Sequence, residues 1–148
     1  MADGIIIRPM TSEDTKAVSD LEKECFSHPW SQNAIEAELS NSNAHFFVAV
    51  KETDVCGYIG CHIILDECYI ANVAVSEKFR RQGIGRLLTD KILTNAKDKN
   101  CAFVSLEVRK SNISAISLYE KQGFEFVGER KNFYSDPTEN AYIMTKEI

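Results

Sequence analysis

A chain of 148 residues, 44% of them hydrophobic, has the size and composition of one domain, residues 1–148, that buries a continuous core without disulfides or metal. Its net charge of −5 argues against a surface that binds nucleic acid phosphates, although it leaves room for a local basic patch. The sequence shows neither an apolar run of 18 residues nor a secretion signal, so it predicts a cytoplasmic protein without a membrane partner.

The five cysteines are odd in number and include no CxxC pair, which predicts reduced core thiols. A disulfide framework and a zinc site are the alternatives that this spacing argues against. No cluster of ligand residues suggests another metal. The cysteines are Cys25, Cys56, Cys61, Cys68 and Cys101.

The first third of the chain predicts a strand and two helices. Residues 4–8 are a β-branched run that ends at Pro9, which is typical of a strand. Residues 11–14 can cap a helix, and apolar residues at helical spacing continue it to Cys25. Ser31 follows a helix-breaking proline and can cap a second, short helix.

The rest of the chain alternates strands with helices. Segments 45–51, 56–65 and 68–75 predict an antiparallel meander, and helical periodicity then runs from Gly83 to about Lys99. The remaining elements are a central strand from Cys101 to Val108, a helix capped by Asn112 and stopped by Gly123, and two strands at 124–127 and 141–144. The order β-α-α-β-β-β-α-β-α-β-β predicts an α/β fold, a mixed sheet with helices on both faces.

A glycine-containing turn joins the strand that ends at Val75 to the next helix. Gly83 and Gly85 are separated by one residue and flanked by arginines. A helix N-terminus offers free N–H donors, glycine lets the backbone approach closely, and arginine adds charge, so the turn is suited to a pyrophosphate. The alternative is an ordinary turn with solvated arginines. The absence of a following GKS or GKT and the position after the fourth strand argue against ATP and NAD.

The turn Arg-Arg-Gln-Gly-Ile-Gly, residues 80–85, resembles the Q/R-x-x-G-x-G/A signature of the GCN5-related N-acetyltransferase superfamily. The predicted element order matches that fold along the whole chain. The resemblance implies acetyl-CoA as co-substrate, with its pyrophosphate on the backbone amides of the turn and its pantetheine arm along the preceding strand. The residues so implied are Val73, Ala74, Val75, Arg80, Arg81, Gln82, Gly83, Ile84, Gly85 and Arg86.

Residues 106–124 contain a candidate acid and base. Glu107 interrupts an apolar central strand, where a carboxylate is costly unless it pairs, for instance with Arg109, or faces a cavity or solvent. Tyr119 lies at a helical spacing that a core aromatic would also occupy. The segment resembles the LEVRxSNxxAxxLYExxGF motif of ribosomal-protein-alanine N-acetyltransferases. That resemblance implies Glu107 as general base, Tyr119 as general acid and Asn112, besides its predicted capping of the helix, as a pantetheine contact.

The proton chemistry favours an N-terminal acceptor. An α-amine with a pKa near 8 is roughly one-tenth neutral at pH 7, whereas lysine, at about 10.4, is neutral in well under a thousandth of molecules. A glutamate, directly or through a water, then needs to remove the proton as the C–N bond forms. A backbone N–H near Val73 is the expected donor to the thioester oxygen.

Two further segments concern the acceptor. Residues 28–31, with Trp30, and residues 130–134, with Tyr134, resemble the PWS and RxNYY segments that border the peptide groove of these enzymes, although Phe133 replaces the usual tyrosine. The resemblance implies the N-terminal alanine of a small-subunit ribosomal protein as acceptor. A lysine or small-molecule amine acceptor and a non-catalytic acyl-CoA-binding module are the alternatives.

Overall fold

The computed structural model describes residues 4–148 and shows a seven-stranded mixed sheet in the order β1-β2-β3-β4-β5-β7-β6. The strands are β1 (Ile5–Pro9), β2 (Ala44–Lys51), β3 (Asp54–Ile64), β4 (Glu67–Val75), β5 (Phe103–Arg109), β6 (Glu125–Tyr134) and β7 (Glu139–Glu147). The α-helices are α1 (Thr15–Cys25), α2 (Gln32–Glu38), α3 (Ile84–Asp98) and α4 (Ile113–Lys121), and short 3-10 turns occupy Ser12–Asp14 and Glu77–Phe79. The predicted α/β class and element order are confirmed.

The helix ends predicted from single capping residues agree with the structure at α2 and α4. The Ser31 hydroxyl accepts the Ala34 N–H at 3.1 Å and begins α2, and the Asn112 carbonyl accepts the Ala115 N–H at 3.3 Å and begins α4. Gly123 follows α4 with a φ of 96°, a conformation that favours glycine after a helix.

The extents of three strands were predicted wrongly. The central strand begins at Phe103, two residues after Cys101, because residues 99–102 form the turn that leaves α3. The last two strands extend far beyond the predicted 124–127 and 141–144. β6 is an edge strand with mostly exposed side chains, so no apolar pattern marks its length; its pairing with β7 determines it.

The sheet separates two hydrophobic cores. Tyr58 and Ile59 are neighbours in β3 and belong to different cores, because successive side chains of a strand point to opposite faces. The larger core contains Ile59 with Ile84, Leu88 and Ile92 of α3, Val104 and Leu106 of β5, and Tyr119 of α4. The smaller core contains Tyr58 with Val18 and Leu21 of α1, Ile35 of α2, and Phe46 and Val48 of β2. Helices therefore cover both faces, as predicted.

The sheet opens between β4 and β5. These parallel strands pair only over Glu67–Tyr69 and Phe103–Ser105. Beyond this point β4 stays with β3, and a bulge leaves Ala71 without a partner in the β3 register. Bulges bend strands, so the β4 edge after Tyr69 has no β5 partner and borders an opening.

The cysteines within the described part of the chain are all free, and all except the half-buried Cys25 lie in the interior. This confirms the predicted reduced thiols. None of the helices in residues 4–148 combines the length and the apolar character that crossing a membrane requires.

Candidate active site

A cleft of about 740 Å³ lies where β4 and β5 separate. Residues 70–73 of β4 form one wall and residues 106–109 of β5 form the other. The loop between α1 and α2, residues 26–31, and the loop between β6 and β7, residues 135–138, contribute to one side. Of the residues predicted for the site, the cleft lining includes Trp30, Val73, Glu107, Asn112, Tyr119 and Tyr134.

Glu107 is the one exposed residue of β5 and lies on the cleft wall. Its carboxylate lies 3.2 Å from Arg130 Nε of β6 and keeps 34% of its side-chain surface exposed. The predicted partner Arg109 pairs instead with Glu139, at 3.2 Å. The carboxylate is thus open to the cleft and steadied by one cation.

Tyr119 reaches the same cleft from α4 and is 7% exposed. Its ring contacts Phe124 edge-on at 5.7 Å, so it is also a core aromatic. Burial, with a smaller contribution from Tyr134, raises the pKa of Tyr119 to about 12. The hydroxyl therefore keeps its proton at neutral pH and can act as a donor. The structure brings Glu107 and Tyr119 together, and their catalytic roles remain predictions.

Two loops form one side of the cleft. His28 of the α1–α2 loop lies 3.1 Å from the Ser135 hydroxyl and 2.8 Å from the Asp136 carboxylate of the β6–β7 loop. Trp30 is half-buried and packs 6.3 Å from the Phe46 ring, as a staple would. The first predicted groove segment, residues 28–31, therefore contacts the β6–β7 loop that directly follows the second, residues 130–134.

Tyr134 ends β6 beside Glu107. Burial, followed by the Glu107 charge, raises the pKa of Tyr134 to about 12. The Arg109 guanidinium lies 4.5 Å from the centre of the Tyr134 ring, within cation–π range. Phe133, at the position where the motif has tyrosine, has an exposed ring that contacts Tyr134 edge-on.

Arg109 braces the β6–β7 loop, a role that the sequence did not reveal. Its guanidinium donates to the Pro137 carbonyl at 2.9 Å, the Ser135 carbonyl at 3.1 Å and the Glu139 carboxylate at 3.2 Å. Glu139 also accepts the Ser111 N–H at 2.6 Å. Hydrogen bonding from the Ser111 side chain, followed by that from its N–H and from Arg109, lowers the Glu139 pKa. One arginine of the central strand thus fixes the loop that faces His28.

Glu22 is a second polar residue of the cleft that sequence reasoning missed. Its carboxylate is completely buried on α1 and lies on the cleft wall. It accepts the Trp30 N–H at 2.9 Å, the Tyr58 hydroxyl at 2.5 Å and the Asn72 amide at 3.1 Å. A signal was present, since Glu22 lies four residues after Val18 on the apolar face of the helix.

The glycine turn follows β4 and leads into α3. Gly83 is the N-cap of α3 with a φ of 80°, and a Cβ added there would meet no protein atom within 4 Å. No side chain caps α3, so its first N–H groups have no side-chain partner. Arg81 also has a positive φ of 64°, a conformation that costs a non-glycine residue energy. The turn presents free donors and open space to an anion.

Not every side chain implied for the cofactor points outward. Ile84 and Ala74 are buried in the two cores, which leaves only their backbone groups available. Arg80 donates through Nε to the Val75 carbonyl at 3.2 Å and lies 3.6 Å from the Cys25 sulfur. Arg86 is within 3.9 Å of Asp90 on the exposed face of α3. Gln82 is half-buried in the turn.

Metal ligands are not gathered at this cleft. Within residues 4–148 no group of three or more His, Cys, Asp or Glu side chains is arranged to hold an ion. The polar side chains on the cleft lining include carboxylates, tyrosine hydroxyls, side-chain amides, one imidazole and one guanidinium.

Comparisons with known proteins agree with this geometry. The model of the Acetyltransferase (GNAT) family matches residues 15–124. A Bacillus subtilis (strain 168) protein, provisionally named a ribosomal protein bS18-alanine N-acetyltransferase, is 37% identical over 139 residues, 93% of this chain and 92% of its own. The ribosomal protein bS18-alanine N-acetyltransferase of Escherichia coli (strain K12) is 30% identical over 144 residues, 96% of this chain and 97% of its own.

Solved structures share the fold. The crystal structure of the Escherichia coli ribosomal-protein-S18-alanine N-acetyltransferase has a TM-score of 0.90 at 29% identity and covers 97% of this chain and 94% of that chain. Arabidopsis thaliana NAA60 in complex with acetyl-CoA has a TM-score of 0.89 at 20% identity, over 97% of this chain and 98% of that chain. At that lower identity the likeness concerns the fold.

A mixed sheet that splays between β4 and β5, with a glycine turn at the head of α3, defines an acetyl-transferring class of enzyme. The chain belongs to the acetyltransferase (GNAT) family and is an acetyltransferase. The family resemblance of the glycine turn and of the segment around Glu107 is thereby confirmed.

Proposed function

We propose that this protein transfers the acetyl group of acetyl-CoA to the N-terminal α-amine of a protein, and that the acceptor is the N-terminal alanine of a small-subunit ribosomal protein. One observation carries the proposal: Glu107 and Tyr119 line a single cleft, in a chain whose bacterial relatives are named for that reaction. The proposed reaction takes place in the cytoplasm and involves neither nucleic acid nor a membrane directly.

The residues present fit acetyl-CoA. The backbone amides of residues 83–86 lie at the open, uncapped start of α3, where a pyrophosphate is favoured. The β4 edge at residues 73–75 has no β5 partner and is free to bond the pantetheine arm. Asn112 uses its carbonyl on Ala115, so its amide N–H remains to donate. Acetyl-CoA supplies a thioester whose carbonyl carbon an amine can attack.

Two side chains then carry out the proton transfers. Glu107 accepts a proton from the acceptor nitrogen, and Tyr119 gives one to the departing sulfur. The nitrogen releases two protons in all: one ends on the thiol by way of Tyr119, and the other reaches solvent. A Val73 N–H on the free edge of β4 supports the negative charge that builds on the carbonyl oxygen.

Trp30 and Tyr134 occupy the side of the cleft formed by the two loops, and we assign them to the acceptor peptide. The link from His28 to Ser135 and Asp136 joins these loops at the side of the cleft. A chain end can enter a cleft with joined loops at its side more easily than the middle of a polypeptide can. This arrangement supports an N-terminal acceptor over an internal lysine.

The test follows thiol release from acetyl-CoA over a set of acceptors. Peptides of one sequence begin with alanine, serine, methionine or proline, and free lysine and spermidine are measured beside them. A matched control has a blocked N-terminus and one internal lysine. We expect the alanine peptide to have the highest kcat/KM and the blocked peptide to be inert.

Two results would contradict the proposal. Faster turnover of spermidine or of the blocked lysine peptide would assign the enzyme to another acceptor class. Binding of acetyl-CoA without turnover of any amine would favour a non-catalytic acyl-CoA-binding module.

A further inference from the structure

The buried carboxylate of Glu22 connects three separate parts of the cleft. Trp30 belongs to the α1–α2 loop, Tyr58 to the middle of β3, and Asn72 to β4. Each donates one hydrogen bond to Glu22, at 2.9, 2.5 and 3.1 Å. No other side chain among the described residues is shown joining these three elements.

Such a carboxylate is costly to bury, and its cost must be offset. Glu22 has no exposed surface, and the ion pairs of the described residues do not include it. A buried charge without a cation is tolerated when hydrogen bonds satisfy its oxygens, and here three donors do so. Burial, followed by the nearby charge of Glu22, raises the pKa of Tyr58, which keeps that hydroxyl a donor. A methionine or leucine would fill the same space at lower cost, so the carboxylate serves some other purpose.

The location of these bonds indicates the purpose. Asn72 is the first β4 residue after the unpaired Ala71, at the point where the strand bends away from β5. Asn72 and Trp30 both line the cleft, one on β4 and the other on the α1–α2 loop. Trp30 N–H ties the α1–α2 loop to α1, in addition to the contacts of His28 with the β6–β7 loop.

We propose that Glu22 is a positioning residue for the acceptor: it holds the α1–α2 loop, through Trp30, at a fixed distance from the bent segment of β4, through Asn72. The inference rests on the proposed function, since it concerns the acceptor side of that same cleft. Glu22 acts through these two neighbours and does not contact the substrate, because its side chain is enclosed.

Glu22→Gln changes this link with little change in shape. An amide has one acceptor oxygen and one donor nitrogen, so it cannot accept from Trp30, Tyr58 and Asn72 together. When the new amide nitrogen takes the place of the oxygen that Tyr58 and Asn72 share, the Tyr58 hydroxyl can rotate and accept from that nitrogen. The Asn72 N–H then faces an N–H donor and loses its hydrogen bond. We expect the KM for an alanine peptide to rise about tenfold, while the KM for acetyl-CoA stays within about twofold, because one charge-assisted hydrogen bond is lost on the acceptor side alone.

A second readout does not depend on turnover. Trp30 is the single tryptophan of the chain, so its fluorescence reports the α1–α2 loop. Quenching by acrylamide should increase in Glu22→Gln, as the loop separates from the wall. The control is Asp20→Asn, the same loss of charge on the same helix at an exposed position, which should change neither quenching nor either KM.

Asn72→Ala removes the hydrogen bond between Asn72 and Glu22 from the Asn72 side. This variant tests the inference if Glu22→Gln does not fold. It should also raise the peptide KM and leave the acetyl-CoA KM within about twofold, since it removes the same bond. In the double variant, Glu22→Gln should add much less to the peptide KM than it does alone, because the two residues act through one contact.

Three outcomes would overturn the inference: an unchanged peptide KM in both single variants, equal rises in both KM values, or fully additive effects in the double variant. A general loss of folded protein would lower the apparent kcat and leave both KM values in place, so it is distinguishable. If the wild-type protein acetylates no N-terminal peptide, the proposed function fails, and the quenching comparison still decides whether Glu22 holds the loop.

Discussion

Glu107 is polar in an otherwise apolar stretch of β5, and the structure shows that its carboxylate faces both the cleft and Arg130. We predict that Glu107→Gln binds acetyl-CoA with unchanged Kd and loses a factor of about 10²–10³ in kcat, since the amide keeps the shape and cannot accept a proton. Calorimetry with acetyl-CoA and steady-state thiol release check the two halves of the prediction.

The control for that substitution is Glu120→Gln, the same chemical change at an exposed residue of α4 that does not line the cleft. It should keep wild-type kcat. Equal turnover in Glu107→Gln and wild type would remove Glu107 from the proton transfer. A weakened acetyl-CoA Kd in that variant would mean that the carboxylate serves the cofactor.

Tyr119 keeps its proton far above the ordinary range, because burial raises its pKa to about 12. At pH 10 an ordinary tyrosine is about half ionised, whereas Tyr119 remains mostly protonated. We therefore predict that kcat of the wild-type enzyme stays level up to pH 10, and that Tyr119→Phe lowers it by a factor of about 10–10² throughout, since the thiolate loses its donor.

Tyr69→Phe is the matched control for Tyr119, because Tyr69 is an exposed tyrosine of the first half of β4 outside the cleft. Its kcat should match the wild type at every pH. A normal rate in Tyr119→Phe would mean that solvent protonates the sulfur. An alkaline fall in kcat centred near pH 10 would contradict the raised pKa.

The element that connects fold to chemistry is the β4–α3 turn. The pairing of β4 with β5 ends at Tyr69, and from there to Val75 β4 is paired only with β3. The chain then turns to Gly83, where α3 starts without a side-chain cap. The divergence supplies an unpaired strand edge, and the turn supplies unpaired helix amides. Both sets of donors thus lie along one path, which an extended thioester cofactor can follow.

Gly83→Ala tests this element. The left-handed backbone should cost about 1 kcal/mol of stability, and the added methyl group would occupy the space that a pyrophosphate needs, so we expect the KM for acetyl-CoA to rise about tenfold. Gly4→Ala is the control, since Gly4 has a similar φ of 77° and equally open surroundings away from the cleft. A KM increase of the same size in both variants would contradict phosphate binding at the turn.

The structural features that the sequence predicted depend on residues close together in the chain, whereas the features that it missed depend on residues far apart in the chain. Ser31 and Asn112 cap their helices through bonds to residues three positions away, so local patterns sufficed. The Glu22 bonds join it to residues 8, 36 and 50 positions away, which no local pattern encodes. The length of β6 likewise depends on β7.

The candidate site divides in the same way. Glu107 and Tyr119 were predicted because a dense motif contains both, and the fold brings them to one cleft. The brace from Arg109 to Ser135 and Pro137 spans 26 and 28 positions and emerged only from the structure. The single-domain interpretation of the whole chain stays a prediction that agrees with one continuous sheet over the described residues.

At the scale of the whole molecule, Asp14 joins the edge strand β1 to α1. Its nearly buried carboxylate accepts both Arg8 guanidinium nitrogens, at 2.7 and 2.9 Å, and the Thr11 N–H at 2.8 Å. The hydrogen bonds from Arg8 lower the Asp14 pKa, and the backbone bond from Thr11 adds to this effect. Asp14→Asn should lower the free energy of unfolding at pH 7 by about 1–3 kcal/mol, because charge-assisted bonds are lost.

The sign of the pH dependence follows from that lowered pKa. A carboxyl group with a lower pKa in the folded state contributes stability above its unfolded pKa, about 3.9, and loses it as the pH falls through the folded value. The difference in unfolding free energy between wild type and Asp14→Asn, measured by urea titration, should thus be full at pH 7 and shrink steadily below about pH 4. Asp20→Asn, at an exposed site on α1, should differ from wild type by less than about 1 kcal/mol throughout. A constant difference for Asp14→Asn from pH 7 to pH 3 would show that Arg8 binds Asp14 through shape alone, and not through its charge.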